Sequence, residues 1–351
     1  MKCDVLVLGG GAAGLAAAVT ASRMGAHTVL IERHGALGGM ATAALVHSIC
    51  GLYFLREEPG AVPAQRGQRA TLAPRAIVDA TGDAAFATLA GLATDRAPAD
   101  RLQRPAFIFS LHTVEVAALD DTGRLRLAHQ IAAAVSAGEL LPGCLGAHLR
   151  ATGRGSEVYV TIDLATGPDF DPCAPAQLTA MEGEGRLLAA QLTAFLRENH
   201  PAFSHSELAA FPARVGIRES RRVRGRAIVT SEDVLRGVEH SDVVALGTWP
   251  IELRERATGP RWRFPEDNRP TQIPLDALRA AAAENVWTAG RCLSCDHEAQ
   301  AALRVIGTCL ATGQAAGAAA ALQANGNVEP TAADVRAAID FSETPHAAEC
   351  R

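Results

Sequence analysis

The fold is decided by the stretch Asp4-Val5-Leu6-Val7-Leu8-Gly9-Gly10-Gly11-Ala12-Ala13-Gly14. Its first five residues are mostly aliphatic and predict a buried parallel strand, and the glycines that follow match the pattern Gly-x-Gly-x-x-Gly. In that pattern Gly9 allows the tight turn off the strand, Gly11 lets a pyrophosphate approach the backbone, and Gly14 lets strand and helix pack closely. The stretch therefore predicts a dinucleotide site at the beginning of a helix.

The next residues complete a strand–helix–strand unit. Residues 15–24 predict a helix of small side chains, and residues 28–31 predict a second strand. Glu32 ends that strand, 18 residues after Gly14, where a carboxylate can accept hydrogen bonds from a ribose. Because strand, helix, second strand and terminal carboxylate follow one another at the expected spacing, they support dinucleotide binding better than the glycines alone.

The composition excludes several classes of function. The 351 residues are 48% hydrophobic and 20% charged, the balance of a soluble globular chain long enough for more than one domain. The net charge of −5 predicts no nucleic-acid partner. Lys2 is the only lysine, which argues against P-loop and pyridoxal phosphate chemistry. No secretory signal precedes the first strand, so we expect a cytoplasmic protein with reduced thiols.

Other segments have the character of ligand-binding turns or buried elements. Residues 34–42 carry the pair Gly38-Gly39, which suits close approach of a ligand, although a flexible loop is the alternative. Residues 76–80 predict a strand that delivers Gly82 and Asp83 to the ligand edge of an α/β sheet. The uncharged residues 305–322 predict a buried helix against a cofactor rather than a membrane span.

Together, these segments resemble FAD-dependent oxidoreductases of the two-dinucleotide-binding-domain class. The resemblance is nearest to the branch of fumarate reductase flavoproteins and the flavin subunit of heterodisulfide reductase. It rests on the glycine run and on residues 31–33, 37–42, 77–91, 216–222, 285–294 and 304–317. The resemblance implies an α/β chain with a Rossmann-like FAD-binding domain and an inserted α+β cap or substrate domain.

The same resemblance implies boundaries, a cofactor and a reaction. The FAD-binding domain would comprise residues 1–99 and 283–325, the cap residues 100–282, and a tail residues 326–351. The reaction would transfer a hydride between a small substrate and flavin N5, and an anionic substrate is one option. Non-covalent FAD would be held by Gly9, Gly11, Ala12, Ala13, Gly14, Glu32, Arg33, Gly38, Gly39, Met40, Thr42, Gly82, Asp83, Gly290, Arg291 and Gly313.

Three side chains are predicted to be catalytic. Arg304 enters an apolar helical stretch, where a charge needs a buried partner or a ligand. The ordinary pKa of a histidine suits His297 for proton transfer, although a neighbour of a helix cap is the alternative. Arg218 follows the glycine of its matched motif; a solvated strand with Arg–Glu pairs is the alternative for the nearby arginines.

The cysteines predict no metal site. Cys292, Cys295 and Cys309 form the only cluster, and an iron–sulfur centre would require four thiolates. A redox-active pair Cys292-x-x-Cys295 beside the flavin is one hypothesis, and small buried side chains are the other.

One departure from the family affects the cofactor. Its members normally have a long stretch between Cys50 and Ile77, whereas this chain has about 25 residues there, shortened at 51–75. The Pro- and Gly-rich residues 56–67 predict an irregular connection, too short for the usual strands. We therefore expect the adenine end to be more exposed than usual and FAD to be weakly held.

Two functions are alternatives to an FAD-dependent oxidoreductase: a non-catalytic FAD-binding or assembly subunit, and an NAD-dependent dehydrogenase. We expect a small-molecule substrate and no membrane partner, with a redox partner protein as an option.

Overall fold

The computed structural model describes residues 2–46, 50, 72–153 and 155–339. The predicted first unit is present as β1 (Lys2–Leu8), α1 (Ala12–Arg23) and β2 (Thr28–Ile31). Two more strands, β3 (Ala73–Asp79) and β14 (Val286–Thr288), complete a parallel sheet in the order β14-β3-β1-β2. The prediction of an α/β fold around a parallel sheet is confirmed.

The helix α8 (Ile306–Ala324) packs against α1 through residues without large side chains. A Cβ added to Gly313 would lie 2.1 Å from the carbonyl oxygen of Ala13, and one added to Gly317 would lie 2.3 Å from that of Ala17. Only glycine allows the two helix backbones to come this close. The small, uncharged residues near 305–322 therefore form the interior helix of the sheet domain.

A second sheet is antiparallel and forms the cap. It contains β5 (Ala106–His112), β6 (His148–Ala151), β7 (Val158–Asp163) and β8 (Glu207–Ala210) in the order β6-β7-β5-β8. The helices α4 (Asp121–Ala137) and α5 (Pro175–Asn199) pack against it. Position 185, inside α5, requires glycine because a Cβ there would be 2.3 Å from the Phe107 ring.

Shorter elements connect the two sheets. Two-stranded ladders join β4 (Thr94–Asp95) to β9 (Arg222–Val223), β10 (Val243–Gly247) to β13 (Thr271–Pro274), and β11 (Ile251–Arg256) to β12 (Gly259–Arg263). The remaining helices are α2 (Met40–Ala43), α3 (Ala85–Leu89), α6 (Ser231–Arg236), α7 (His297–Leu303) and α9 (Ala332–Ile339).

The packing divides the chain differently from the predicted ranges 1–99, 100–282, 283–325 and 326–351. The hydrophobic core of the cap contains residues from 97 to 217. Residues from 229 to 278 share a core with the parallel sheet, because β10 packs against α8. Ala332 and Val335 of α9 join that same core, so the predicted tail begins with a packed helix.

Several predictions lie outside the described residues. They concern the irregular connection at 56–67, most of the shortened segment at 51–75, and the chain end beyond 339. Within the described ranges, no single helix has the length and hydropathy to cross a membrane; α7 and α8 meet those criteria only as a pair bent by 95°.

Candidate functional site

A cavity of about 500 Å³ lies between the parallel sheet and the cap. Leu8, Ile31, Ala80 and Ala289 line it, and each stands at or directly after the carboxyl end of a strand of the parallel sheet. Cap residues, among them Ile108, line the opposite wall. This is the edge at which open α/β sheets bind their ligands.

Most of the predicted cofactor residues line this cavity. The structure brings together Gly9, Gly11, Ala12, Ala13, Glu32, Arg33, Gly38, Gly39, Met40, Gly82, Asp83, Gly290 and Arg291, and with them the predicted catalytic residues Arg218 and Arg304. The predicted residues that do not line it are Gly14, Thr42, Gly313 and His297.

Three of these four residues stabilise the backbone of the elements that form the cavity. A Cβ added to Gly14 would be 1.7 Å from the Gly9 carbonyl oxygen, so Gly14 serves the turn between β1 and α1. Gly313 serves the contact of α8 with α1 described above. The Thr42 hydroxyl donates to the Leu37 carbonyl over 2.8 Å and holds the turn through Gly38 and Gly39, where φ is +103° and +58°.

The loop end of the cavity, formed by Gly9, Gly11, Glu32, Gly39 and Asp83, suits a dinucleotide. Gly11 caps α1 without any side-chain hydrogen bond, which leaves the first amides of the helix for a ligand. A Cβ added to Gly11 would have only the Gly39 Cα within 4 Å, at 3.9 Å. The loop is therefore open where a phosphate would approach.

Glu32 is fixed by the backbone of this loop. Its Oε2 accepts from the Gly10 amide over 2.6 Å, and its Oε1 accepts from the His34 amide over 2.8 Å. A carboxylate has about four acceptor positions, so Glu32 keeps capacity for the hydroxyls of a ribose.

Asp83 links the ends of two strands. It accepts from the Arg291 guanidinium over 2.7 Å and from the Ser220 hydroxyl over 2.8 Å. Burial works to raise the pKa of the Asp83 carboxyl, but the positive charge of Arg291 and these hydrogen bonds outweigh it and lower that pKa. Asp83 is therefore a fixed negative charge beside the cavity.

The cap end of the cavity is formed by Asp163, Arg218, Glu252, Arg254 and Arg304. Asp163 is held between Arg218 at 2.8 Å and Arg254 at 2.9 Å, and Arg254 also pairs with Glu252 at 2.7 Å. Three guanidiniums thus stand against two carboxylates. Among these five side chains the positive charges exceed the negative charges by one.

Arg304 carries that unbalanced charge. It ends α7, where the chain turns into α8, and donates to the Gln103 side chain over 3.2 Å and to the Glu252 carbonyl over 3.3 Å. Within the described ranges it has no carboxylate within 4.0 Å. Burial lowers the pKa of Arg304 to about 10, so it stays charged near pH 7.

His148 and Trp249 complete this end of the cavity. Burial and the nearby Arg254 lower the pKa of His148 to about 4, so the ring is neutral near pH 7. Trp249 donates its indole N–H to Glu252 over 3.0 Å.

His297 does not line the cavity, unlike Arg218 and Arg304, the other two residues predicted to be catalytic. Its Nδ1 is 2.9 Å from Glu219 and its Nε2 is 3.0 Å from Glu255. Burial alone would lower its pKa, but these two carboxylates raise it. With both ring nitrogens engaged, His297 joins α7 to its neighbours as a charged cross-link, because an imidazolium donates from both nitrogens.

The cysteine pair is also outside the cavity lining. Cys292 and Cys295 are free and buried, and burial raises the pKa of the Cys292 thiol to about 12. Cys309 lines the cavity and is free as well. No group of three or more metal-binding side chains occurs in the part of the chain that the structure describes.

Sequence reasoning missed several residues of the site. The missed side chains that line the cavity include His34, His148, Arg150, Glu182, Arg214, Trp249, Glu252 and Arg254. The only signal for any of them is the alternation of Glu252 and Arg254 on one face of β11, since strand side chains repeat every two residues.

The comparisons with known proteins agree with this geometry. The family described as FAD dependent oxidoreductase matches residues 4–62 and 59–340. No curated protein matches the sequence.

Solved structures show a distant likeness. A geranylgeranyl bacteriochlorophyll reductase-like protein of Thermoplasma acidophilum is 13% identical, with 97% of this chain and 82% of that chain covered at a TM-score of 0.44. A probable FAD-dependent monooxygenase of Pseudomonas aeruginosa is 15% identical, with 96% and 91% covered at 0.38. A flavin-dependent brominase is 11% identical, with 97% and 83% covered at 0.41. We draw no functional conclusion from likeness at this level.

Proposed function

The chain belongs to the FAD-dependent oxidoreductase family, and from that premise we propose that it transfers a hydride between a small anionic substrate and N5 of its flavin. The family makes it an enzyme with FAD as cofactor, so the NAD-dependent alternative loses its support. The proposal concerns the hydride transfer and the class of substrate.

The residues of the loop end fit FAD. Gly11 leaves open space in front of the first amides of α1, and Glu32 stands at the end of β2 with free acceptor capacity. The amides would hold the diphosphate and Glu32 the adenosine ribose. When bound, FAD supplies the site that accepts or returns a hydride.

The observation that carries the substrate class is Arg304. A guanidinium without a carboxylate partner, in a buried wall, is costly unless a ligand supplies the negative charge. Arg218 and Arg254 are already shared with Asp163, so one negative charge on the substrate would supply the partner that Arg304 lacks. A carboxylate is the simplest such group, since it matches the two parallel donors of a guanidinium.

The other residues of the cap end would set orientation. Asp163 and Glu252 hold Arg218 and Arg254 in place, and Gln103 orients Arg304 through its side-chain oxygen. Neutral His148 adds no charge that would compete with them. Holding an anion in one pose beside the flavin lowers the entropic part of the barrier to transfer.

The test uses the FAD-loaded protein and a panel of small mono- and dicarboxylates, each paired with its neutral amide. The flavin absorbance spectrum is followed during titration, and the same acids are then mixed anaerobically with oxidised or reduced enzyme. We expect selected acids to perturb and then bleach or restore the flavin band, while their amides do not. Equal responses to acids and amides would contradict an anionic substrate.

We also propose a cytoplasmic setting and, as the route of electrons to or from the substrate, a redox partner protein or a second small molecule. The seven described cysteines are all free, which agrees with a reducing compartment.

A further inference from the structure

Arg33, His34 and Arg214 form a cluster at the loop end of the cavity, and all three line it. Arg33 and His34 follow Glu32 directly, whereas Arg214 comes from the segment that leaves the cap after β8. The Arg214 amide donates to the Ala43 carbonyl over 3.1 Å, which fixes this segment against α2. The cluster therefore brings a cap residue to the cofactor side of the cavity.

The two guanidiniums meet at one histidine nitrogen. Arg33 donates its Nε to His34 Nε2 over 3.0 Å, and Arg214 contacts the same Nε2. Because Nε2 accepts, the ring is neutral, and burial together with both guanidiniums lowers the pKa of His34. The cluster thus places two positive charges around a neutral ring.

The nearby carboxylates do not balance these charges. Both oxygens of Glu32 accept from backbone amides, and Asp83 is 2.7 Å from Arg291 but 3.7 Å from Arg33. Arg214 has no carboxylate within 4.0 Å in the described ranges.

One atom of Arg214 also lacks any partner. Its Nε is buried and has no hydrogen-bond acceptor among the described residues. A buried donor left unpaired is costly, and here it lies in the wall of a cavity that binds a dianionic cofactor. The missing acceptor has the chemistry of an anion.

We infer that Arg214, together with Arg33, binds the diphosphate of FAD along with the first amides of α1. The fork of a guanidinium matches phosphate oxygens in geometry, and the start of α1 adds about half a positive charge. A segment of the cap thereby takes part in holding the cofactor. This concerns FAD alone and does not depend on the substrate proposed above.

The experiment measures ligand binding to the apoprotein of wild type, Arg214→Gln and Arg214→Lys. The ligands are FAD, ADP and riboflavin, followed by flavin fluorescence and, for ADP, by competition with FAD. We expect Arg214→Gln to weaken FAD and ADP by about 10- to 100-fold, the range for a hydrogen bond to a charged group. Riboflavin, which has no phosphate, should bind unchanged, and Arg214→Lys should recover part of the loss.

The matched control is Arg197→Gln, which removes the same charge from an exposed position on α5 outside the cavity lining. A general folding defect would weaken all three ligands together and overturn the assignment, as would equal FAD affinity in the two glutamine variants. Undiminished binding of ADP to the FAD-loaded protein would also overturn it, because the arginines would then serve a separate anion. A smaller loss of FAD affinity per tenfold rise in salt for Arg214→Gln than for wild type would support it.

Discussion

The two ends of the cavity attract negative charge by different means. At the loop end, the amides of α1 and the turns through Gly9 and Gly39 come from residues close in sequence. At the cap end, Asp163, Arg254 and Arg304 come from three separate elements between positions 163 and 304 of the chain. A site made of backbone amides can be recognised from a short motif, whereas a site made of distant side chains forms only when the chain folds.

The largest expected effect tests the backbone end. Gly11→Val should abolish FAD retention, because the added side chain fills the open approach to the amides of α1. Loss of two charged hydrogen bonds, about 3–6 kcal/mol, corresponds to a 100-fold or greater fall in affinity. Flavin absorbance of the purified protein and titration with FAD measure it.

Two other glycines sharpen that experiment. Gly183→Val serves as the control, since no atom lies within 4 Å of an added Cβ there, and it should retain FAD. Gly14→Val should instead prevent folding, because its Cβ would collide with the Gly9 carbonyl. Full flavin content in Gly11→Val would show that the amides do not hold the cofactor.

The next effect tests the side-chain end. Arg304→Ala should lower the rate of flavin reduction or reoxidation by the selected carboxylate by about 100- to 1,000-fold, the usual cost of removing one charge-stabilising donor. FAD content should not change, because Arg304 lies at the cap end. Anaerobic stopped-flow absorbance measures the rate.

Arg126→Ala on the exposed face of α4 removes a charge far from the cavity and should react like wild type. If Arg304→Ala lost FAD and rate together, the two ends would not be separable and the contrast between them would fail.

The sequence singled out most of the residues at the loop end, whereas at the cap end it singled out Arg218 and Arg304 but none of the carboxylates near them. The glycine run, Glu32, Gly38-Gly39, Asp83 and Arg291 could be found because each follows a strand of one parallel sheet, and the ends of such strands share an edge. Asp163 had no such signal: it becomes a partner of Arg218 and Arg254 only through the register of β7 and the position of β11.

His297 is a residue that the sequence singled out but that does not line the cavity. Its residue type suggested proton transfer, but the sequence does not show which carboxylates a histidine will contact once the chain has folded. The structure directs it at Glu219 and Glu255 instead.

A third effect, on stability, follows from that position. The pKa of His297 is raised by its two carboxylates, so its contribution is complete below about pH 6.5 and is lost as pH rises through the folded-state value. His297→Gln should therefore reduce stability near pH 6 by about 3 kcal/mol, the lower range for breaking a buried ion pair. The difference from wild type should shrink toward alkaline pH.

Chemical denaturation at pH 6 and at pH 9 measures this change. His112→Gln is the matched control, because His112 pairs with Glu157 while 56% of its side chain is exposed, and such a surface pair contributes at most about 1 kcal/mol. A His297→Gln deficit that grows with pH would contradict the assignment of a charged cross-link.

The smallest expected effect concerns Cys292 and Cys295, which lie behind the end of β14 rather than in either end of the cavity. The thiolate is the reactive form, and burial raises the pKa of Cys292 to about 12 and that of Cys295 further. Near pH 7 both thiols are therefore protonated. We therefore expect neither thiol to react with a disulfide reagent until the protein unfolds.

The paired variant Cys292→Ala/Cys295→Ala should keep its FAD and change the rate of flavin reduction by less than about twofold, since neither sulfur lines the cavity. Mass spectrometry after timed labelling identifies which cysteines react. Cys173 is the reference thiol, because it is only partly buried and should react before Cys292 and Cys295. Rapid labelling of the pair in the folded protein, or a loss of flavin reduction in the double variant, would return the redox-active dithiol to consideration. It would also mean that the cavity has a third functional region beyond its backbone and side-chain ends.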